Sequence, residues 1–144
     1  MRNVLEDLER SAARTPEKTA FADEAHALTF SQLLAGSRAL GTLVARRAEL
    51  GRPVGVLVGR DAYTPLGFFA ALQAGCCYVP LDPQMPQARL DAILRQLDPA
   101  LILYSAESEK AAAQLACPTL CIEDNLTAPA DDALLRARRS AVLD

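Results

Sequence analysis

The feature that most constrains the fold is an uninterrupted apolar run, VGVLV at Val54–Val58. A strand that is apolar at every position is typical of a parallel sheet with both faces covered. Leu101–Tyr104 is a second run of this kind, and between the two runs apolar residues recur at helical spacing over Leu90–Leu97. Strands that alternate with helices over short connections predict an α/β fold, with a mostly parallel sheet flanked by helices.

Turn and cap residues set the limits of the predicted elements. Thr29-Phe-Ser-Gln32 has the spacing of a capping box and predicts a helix start, while Gly51 and Gly75 predict helix ends. The predicted strands are Thr19–Ala22, Leu28–Phe30, Val54–Val58, Cys76–Pro80, Leu101–Tyr104 and Pro118–Ile122. The first predicted helix ends near Arg14, and the second runs from Thr29 towards Gly51. The other predicted helices are Tyr63–Ala74, a helix that follows Pro86, Glu107–Ala116 and Asp131–Arg139.

These elements form one domain over residues 1–144, with a polar tail over 123–144. We expect Val54–Val58 and Cys76–Val79 to be central strands of the sheet. The side chains expected to be largely buried are Leu40, Val56, Leu57, Leu72, Val79, Ile93 and Leu101.

The charge balance disfavours a nucleic-acid partner. The net charge is −3 and the pI is about 5.2, whereas binding to phosphates needs a concentrated basic face. Arg136-Ala-Arg138-Arg139 lies beside Asp131 and Asp132 and is interpreted as a solvated helix end. No apolar run approaches the roughly 20 residues that span a bilayer, and acidic and basic residues interrupt the N-terminus. We expect no membrane partner and a cytoplasmic location.

The cysteines and the single histidine do not indicate a reactive site. Cys117 and Cys121 have a spacing that is compatible with zinc, but Cys76 and Cys77 would point to opposite faces of a strand. We therefore expect the thiols to pack as small side chains, with no metal or disulfide. His26 lies in a predicted polar connection with no nucleophile in view, and we expect it to be solvated.

A glycine-containing loop at a strand end is the next candidate. Gly55-Val-Leu-Val-Gly59 precedes Arg60, but the segment lacks the lysine and hydroxyl of a phosphate-binding loop. The structural interpretation is a strand in which Gly55 allows a neighbour to approach closely.

The acidic and hydroxyl residues are interpreted as caps and turns. Asp61 is expected to cap the next helix, Asp82 to shape a turn, and Ser105 and Ser108 to cap another helix. Neither these carboxylates nor Asp91 shows the spacing of an acid–base pair. We assign no catalytic, cofactor-binding or metal-ligating residue to this chain.

Two segments carry a family resemblance. Leu28-Thr-Phe-Ser-Gln-Leu33 resembles the Leu-Thr-Tyr-x-Glu-Leu motif of adenylation domains. Leu72-Gln-Ala-Gly-Cys-Cys-Tyr-Val-Pro-Leu-Asp82 resembles their Leu-Lys-Ala-Gly-x-Ala-Tyr-Val-Pro-Leu/Ile-Asp motif, and Pro86-Gln-Ala-Arg-Leu90 is similar to Pro-x-x-Arg-Leu. The chain thus resembles the N-terminal segment of an adenylate-forming ligase, and most closely an amino-acid adenylation domain of a nonribosomal peptide synthetase.

The resemblance implies a function for a longer enzyme. Such ligases use ATP and magnesium to activate an amino or other carboxylic acid as an acyl-adenylate, and then pass it to a thiol, commonly the phosphopantetheine of a carrier protein. The phosphate loop, the adenine and ribose sites, the substrate pocket and the mobile C-terminal domain are missing from this chain. The chain alone is therefore expected to be inactive, to bind no cofactor, and to leave the activated acid unidentified.

Two alternatives stay open at this stage. The first is a non-enzymatic binding module, because some family members bind a small accessory protein near the segment matched by Ala74–Tyr78, where Cys77 replaces an alanine. The second is a flavodoxin-like binder with its ligand near Gly59–Asp61 or Pro80–Asp82. We also expect the isolated chain to self-associate through a face that the rest of the domain would cover, unless the tail at 131–144 folds back over that face.

Overall fold

Helices and strands alternate along most of the chain in the computed structural model, which describes residues 3–143. The helices are α1 Val4–Arg14, α2 Phe30–Arg47, α3 Thr64–Gln73, α4 Gln87–Leu97, α5 Glu109–Ala113 and α6 Asp132–Leu143. The strands are β1 Thr19–Ala22, β2 Ala27–Thr29, β3 Pro53–Leu57, β4 Cys77–Leu81, β5 Leu101–Tyr104 and β6 Thr119–Cys121. Short 3-10 turns occupy Ala106–Ser108 and Glu123–Asn125.

Strands β3 to β6 form one parallel sheet in the order β4-β3-β5-β6, and β1 and β2 form a separate antiparallel hairpin. In the parallel sheet Val54 is in register with Tyr78 on one side and with Leu101 on the other. This architecture confirms the predicted α/β fold class.

The sheet has an apolar core on each face. On one face Val54 and Val56 of β3 pack with α1, α2 and α3, and on the other face Leu57 packs with α4 and α5. Gly55 lies between these layers, and a Cβ placed on it would lie 2.9 Å from Leu81 Cδ1 and 3.0 Å from an Ile102 methylene. The predicted close approach at Gly55 is therefore confirmed.

Strand β4 is at the edge of the sheet, so the prediction that Cys76–Val79 forms a central strand is wrong. Cys77 and Tyr78 are exposed, and Val79 is only half-buried. The reason lies within the strand, because Pro80 has no N–H to donate to a further neighbour, and proline inside a strand is largely confined to sheet edges.

The predicted core is correct in part. Leu40, Val56, Leu57 and Leu101 are completely buried. Val79 and Ile93 are half-buried and pack against the core cluster around Leu57. The prediction is wrong for Leu72, which is half-buried and lines a surface groove.

The error at Leu72 reflects how α3 is rotated against α2. Gly41 on α2 allows such a close approach that a Cβ there would lie 2.7 Å from the Gln73 Cβ. Gln73 is thus turned inwards, where its Nε2 donates to Ser37 Oγ at 3.3 Å. With Gln73 buried at this contact, Leu72 faces the protein surface.

Of the helix ends predicted at Thr29, Gly51 and Gly75, the first and the last are confirmed. Thr29 Oγ1 accepts from the Gln32 N–H at 3.1 Å, and Gln32 Oε1 accepts from the Thr29 N–H at 2.9 Å, which confirms the capping box. Gly75 has φ +72° and closes α3 in a Schellman motif, as the N–H groups of Gly75 and Cys76 bond to the Leu72 and Ala71 carbonyls. Gly51 has φ +78°, but α2 already ends at Arg47.

The predicted helix Glu107–Ala116 is shorter in the structure. A 3-10 turn at Ala106–Ser108 leads into α5, which ends at Ala113. After that residue the N–H groups of Gln114 and Leu115 bond three residues back, which tightens the chain into a turn before Pro118.

Candidate functional site

The carboxyl ends of β3, β5 and β6 open into a cleft of about 560 Å³. The order β4-β3-β5-β6 places a topological switch point between β3 and β5, the position at which open parallel sheets bind their ligands. We call this site the acidic cleft, because its charged lining is Asp23, Glu24, Asp61, Glu107 and Glu123, with Arg60 and His26.

Asp61 lies at the centre of a hydrogen-bond network. Its Oδ1 accepts from the N–H groups of Tyr63 and Thr64 at the start of α3, both at 2.9 Å. The N-cap position itself is Tyr63, so Asp61 acts from two residues before the cap position, and the prediction is correct in part. Its Oδ2 accepts from the hydroxyls of Ser105 at 2.7 Å and Thr64 at 3.2 Å. The carboxylate therefore joins the β3–α3 connection to the end of β5.

Asp23 connects the β1–β2 hairpin to the same network. Its Oδ2 accepts from the Ala62 N–H at 2.8 Å, and its Oδ1 accepts from the N–H groups of Ala25 and His26. These backbone hydrogen bonds favour the charged form and lower the pKa of Asp23 below its ordinary value of 3.8. The hairpin is thus fixed to the β3–α3 connection by an ionised side chain.

His26 is exposed, as predicted. Its Nδ1 lies 3.6 Å from Asp23 Oδ1, and its ring meets the edge of the Tyr63 ring at 5.3 Å between centroids. The imidazole forms the outer wall of the acidic cleft.

Glu107 lies against Asp61 at the mouth of the cleft. Its Oε2 accepts from the Arg60 N–H at 3.1 Å and would lie 2.8 Å from a Cβ at Gly59. A hydrogen bond with Asp61, with desolvation and the negative charges of Asp61 and Asp23, raises the pKa of Glu107. A side chain at Gly59 would displace the carboxylates of Asp61 and Glu107, because both lie within contact distance of its Cβ position.

Glu123 joins β6 to β5 across the cleft. Its two carboxylate oxygens accept from the Ala106 N–H at 3.1 and 2.9 Å. The predicted serine caps are wrong at the side-chain level, since neither Ser105 nor Ser108 caps the following turn with its hydroxyl. Ser105 Oγ is used by Asp61, a long-range contact that local sequence spacing does not reveal.

The other two carboxylates considered in the sequence, Asp82 and Asp91, lie outside the cleft. Asp82 Oδ1 accepts from the Gln84 N–H at 2.9 Å, which confirms its role in the turn after β4. Asp91 accepts from Gln87 Nε2 at 2.8 Å along α4. Asp61, Asp82 and Asp91 thus each accept hydrogen bonds from other groups of the protein.

The thiols are distributed over three environments. Cys76 is buried and its Sγ lies 3.5 Å from the Glu49 carbonyl oxygen, Cys77 is exposed, and Cys117 and Cys121 are half-buried. Desolvation raises the pKa of Cys76, Cys117 and Cys121, which keeps these thiols protonated. Within residues 3–143, no group of three or more His, Cys, Asp or Glu side chains is arranged to hold a metal ion.

The outer face of α3 and the exposed edge of β4 form a second candidate surface. Phe68 stacks on Tyr78 with ring centroids 4.6 Å apart. Val4 and Phe21 extend the surface and are 46% and 36% exposed. We call this surface the aromatic groove; it is lined by Val4, Phe21, Pro65, Phe68, Phe69, Leu72 and Tyr78.

A deeper groove of about 550 Å³ continues from it towards the start of β4. We call it the thiol groove; it is lined by Asn3, Val4, Leu5, Gly51, Leu72, Gly75, Cys76, Cys77, Arg139 and Val142. Helix α6 forms one of its walls through Arg139 and Val142.

Two arginines of α6 are not solvated, contrary to the prediction. The Arg138 guanidinium donates to the carbonyls of Ala45, Ala48 and Ala74 at 2.7 to 3.0 Å. Arg139 pairs with Glu9. The tail therefore folds back onto the domain, and the prediction of a solvated helix end holds only for the exposed Arg136.

No helix within the described residues is both long enough and apolar enough to cross a membrane.

Comparisons with known proteins place these features in a family. The profile of the family described as "AMP-binding enzyme" matches residues 8–141. The chain is 36% identical over 125 residues to AMB antimetabolite synthetase AmbB of Pseudomonas aeruginosa, covering 85% of this chain and 10% of that protein. It is 32% identical over 136 residues to surfactin synthase subunit 2 of Bacillus subtilis, covering 88% and 4%.

A solved structure of a nonribosomal peptide synthetase, FmoA3, has the same fold. It superposes with a TM-score of 0.80 at 22% identity, covering 90% of this chain and 14% of that chain. The present chain thus spans a tenth or less of the two curated relatives named above. The chain belongs to the AMP-binding enzyme family, and it corresponds to the N-terminal segment of an adenylation domain like those of nonribosomal peptide synthetases.

Proposed function

We propose that this chain is the N-terminal scaffold of an ATP-dependent ligase, and that it carries no catalytic residue itself. The longer enzyme would activate an amino or other carboxylic acid as an acyl-adenylate for transfer to a carrier thiol. The observation that carries the proposal is the family match over residues 8–141, which spans nearly the whole chain. In support, Asp23, Asp61 and Glu123 at the strand ends bind backbone N–H groups and so fix the loops.

The residues of the acidic cleft do not fit a nucleotide. Its lining is dominated by carboxylates, which repel a triphosphate, and the Gly59 N–H donates to Thr64 Oγ1 at 3.2 Å. Phosphate sites instead present free backbone N–H groups with lysine or arginine. We therefore propose that ATP and magnesium bind elsewhere in the longer enzyme, and we assign no step of the reaction to this cleft.

Pyrophosphate exchange tests the proposal. The longer protein, supplied with ATP, magnesium and a broad panel of amino and carboxylic acids, should exchange labelled pyrophosphate with at least one of them. The 144-residue chain should exchange with none. Failure of the longer protein across the whole panel would exclude a ligase, and exchange by the short chain would exclude a purely structural role.

The partners follow from the same proposal. The rest of the adenylation domain would pack against this segment, and a carrier protein bearing phosphopantetheine would receive the acyl group. We place the longer enzyme in the cytoplasm, where ATP is supplied.

A second candidate function is the docking of a small accessory protein, and the aromatic groove favours it. The stacked Phe68 and Tyr78, the exposed Val4 and the half-buried Leu72 form a continuous apolar surface beside Cys77. Aromatic and aliphatic anchors of this kind dominate the energetics of protein interfaces. In this role the chain would bind a partner whether or not a ligase follows it.

Calorimetric titration with a purified accessory protein tests the second candidate. Leu72→Glu and Tyr78→Glu should abolish binding, since each places a charge within the apolar surface. Val58→Glu is the matched control, because Val58 is 40% exposed at the opposite end of the sheet. Equal affinity of all three variants would exclude this surface as the docking site.

We further propose that the isolated chain self-associates through the aromatic groove. A contiguous apolar surface tends to find a partner, and β4 adds an edge strand beside it. Light scattering over a dilution series should show a concentration-dependent mass that Leu72→Glu reduces to that of the monomer. A monomer at every concentration would contradict this proposal without affecting the ligase proposal.

A further inference from the structure

Over residues 132–142, helix α6 is attached to the domain by few apolar side chains. Leu135 is buried at 5% exposure and Leu134 is half-buried, whereas Ala133, Ala137 and Ala141 are exposed. A helix held mainly by its apolar face normally buries a continuous stripe of residues. The attachment of α6 must therefore depend strongly on polar interactions.

Arg138 supplies the main polar contact. Its Nη1 donates to the Ala48 carbonyl at 2.8 Å and the Ala74 carbonyl at 3.0 Å, and its Nη2 donates to the Ala45 carbonyl at 2.7 Å. Ala45 lies in the last turn of α2, and Ala48 and Ala74 are the C-cap residues of α2 and α3, so one guanidinium satisfies terminal carbonyls of two helices. The positive charge also lies at the negative ends of both helix dipoles.

Further polar contacts hold α6 along its length. Arg139 pairs with Glu9 and lies 4.0 Å from Glu6, which ties α6 to α1. At the start of α6 the Asp131 N–H donates to Thr42 Oγ1 at 3.0 Å. Ion pairs with this degree of solvent contact are weakened by salt.

The surface beneath Arg138 is the junction of α3 and β4. A Cβ at Gly75 would lie 3.2 Å from the Arg138 Cβ, so the helix backbone packs directly on this glycine. The next residue, Cys76, is 5% exposed, and it lines the thiol groove together with Arg139 and Val142. Helix α6 thus covers Gly75 at the end of α3 and closes one side of the groove that Cys76 lines.

We propose that α6 is a releasable strap with Arg138 as its latch, and that its release exposes the Cys76 thiol and opens the thiol groove while the parallel sheet stays folded. Segments with few buried apolar contacts open at a lower free energy than the sheet around which a domain is built. The contacts of Arg138 span more than 60 residues of sequence, so their loss leaves the local contacts of α2, α3 and β4 intact.

Labelling of Cys76 measures the release directly. The reporter is the 144-residue chain with Cys77, Cys117 and Cys121 changed to serine, treated with a maleimide probe under native conditions. We expect slow labelling that is nearly independent of urea at low concentrations, which is the signature of a local opening. A rate that increases with urea as steeply as global unfolding, from the lowest concentration onwards, would overturn the proposal.

Variants of the latch give the second readout. Arg138→Gln in the reporter chain should accelerate Cys76 labelling by about tenfold or more, because charged hydrogen bonds to three carbonyls are lost. Arg138→Lys should give an intermediate rate, since one ammonium cannot match the fork of a guanidinium. Arg136→Gln is the matched control: it removes the same charge from an exposed position on the same helix, and it should leave the rate unchanged.

Hydrogen exchange distinguishes release of the strap from loss of the fold. In Arg138→Gln the amides of α6 should exchange faster, while the amides of β3 keep the protection of the unchanged chain. Equal labelling rates in Arg138→Gln and Arg136→Gln would overturn the proposal. Parallel loss of protection in α6 and β3 would do the same, because α6 would then be part of one cooperative unit.

Discussion

The two ends of the parallel sheet are held together by opposite chemistry. At the carboxyl end, Asp23, Asp61 and Glu123 accept hydrogen bonds from backbone N–H groups of neighbouring loops. At the amino end, Arg138 donates to the terminal carbonyls of α2 and α3. Helices in such a fold run antiparallel to the strands, so their N-termini lie at the carboxyl end of the sheet and their C-termini at the amino end. The negative charges therefore lie at the positive ends of helix dipoles, and Arg138 lies at the negative ends.

The difference lies in how each end is anchored. At the carboxyl end, Asp61 lies in the connection from the core strand β3 to α3, and its hydroxyl partners Thr64 and Ser105 are themselves buried. The arginine belongs to a helix in which Leu135 is the one well-buried apolar side chain among residues 132–142. We infer that the carboxyl end shares the stability of the core, whereas the amino end depends on a segment that can separate from it.

The largest effect is expected at the carboxyl end. Asp61→Ala should lower the free energy of unfolding by about 2–4 kcal/mol, because two N–H groups at the start of α3 and the hydroxyls of Ser105 and Thr64 lose their acceptor. Urea denaturation followed by circular dichroism measures the change. Asp61→Asn is the control, since it keeps an oxygen for the backbone bonds and should cost less; equal losses in both variants would contradict this role of the carboxylate oxygens.

The comparison is sharpened by Leu135→Ala at the amino end. We expect a loss of about 2 kcal/mol or less, at the low end for a buried leucine, since α6 lies at the periphery. The loss should appear as faster hydrogen exchange in α6 with little change in β3. A change spread evenly over the sheet would show that the two ends are not independent.

Helix α2 begins at the carboxyl end of the sheet and ends at its amino end. A change at its N-terminal cap therefore tests the stability of a helix that reaches both ends. Thr29→Ala removes the oxygen that accepts from the Gln32 N–H and should cost about 1 kcal/mol. Thr29→Ser retains that oxygen and serves as the control. Identical unfolding midpoints for the two variants would show that the capping box contributes nothing measurable.

The smallest expected effect is a change in the pH dependence of stability at the carboxyl end of the sheet. Because the folded pKa of Asp23 is lowered, its contribution to stability is present above the ordinary value of 3.8 and is lost as the pH falls through the folded pKa. Asp23→Asn should therefore flatten the acid limb of the stability profile below about pH 4. The control Asp91→Asn lies outside the acidic cleft and should leave the limb as steep as before; no flattening in Asp23→Asn would exclude this contribution.

The sequence predicted the local features of this fold because their causes are local. The capping box at Thr29, the glycine that closes α3 and the turn at Asp82 each depend on neighbouring residues. The edge position of β4 was also readable, since Pro80 within the strand is a signal of an edge.

The errors concern contacts between distant parts of the chain. Leu72 follows the apolar pattern of α3, but the close packing at Gly41 rotates Gln73 inwards in its place. Arg138 reaches carbonyls that lie 64 to 93 residues away in sequence. The strand end at Gly59–Asp61 was named as a candidate ligand position, but the acidic lining of the cleft was not predicted, because its carboxylates converge only when the strand ends are brought together in the sheet.

The claim that this chain is scaffold rather than a nucleotide site is tested most directly by calorimetric titration of the 144-residue chain with ATP and magnesium. The acidic lining of the switch-point cleft repels phosphates, and its backbone donors are used within the protein. The account predicts no saturable heat at millimolar ATP. Tight, saturable binding that is weakened by changes in the acidic cleft would contradict it.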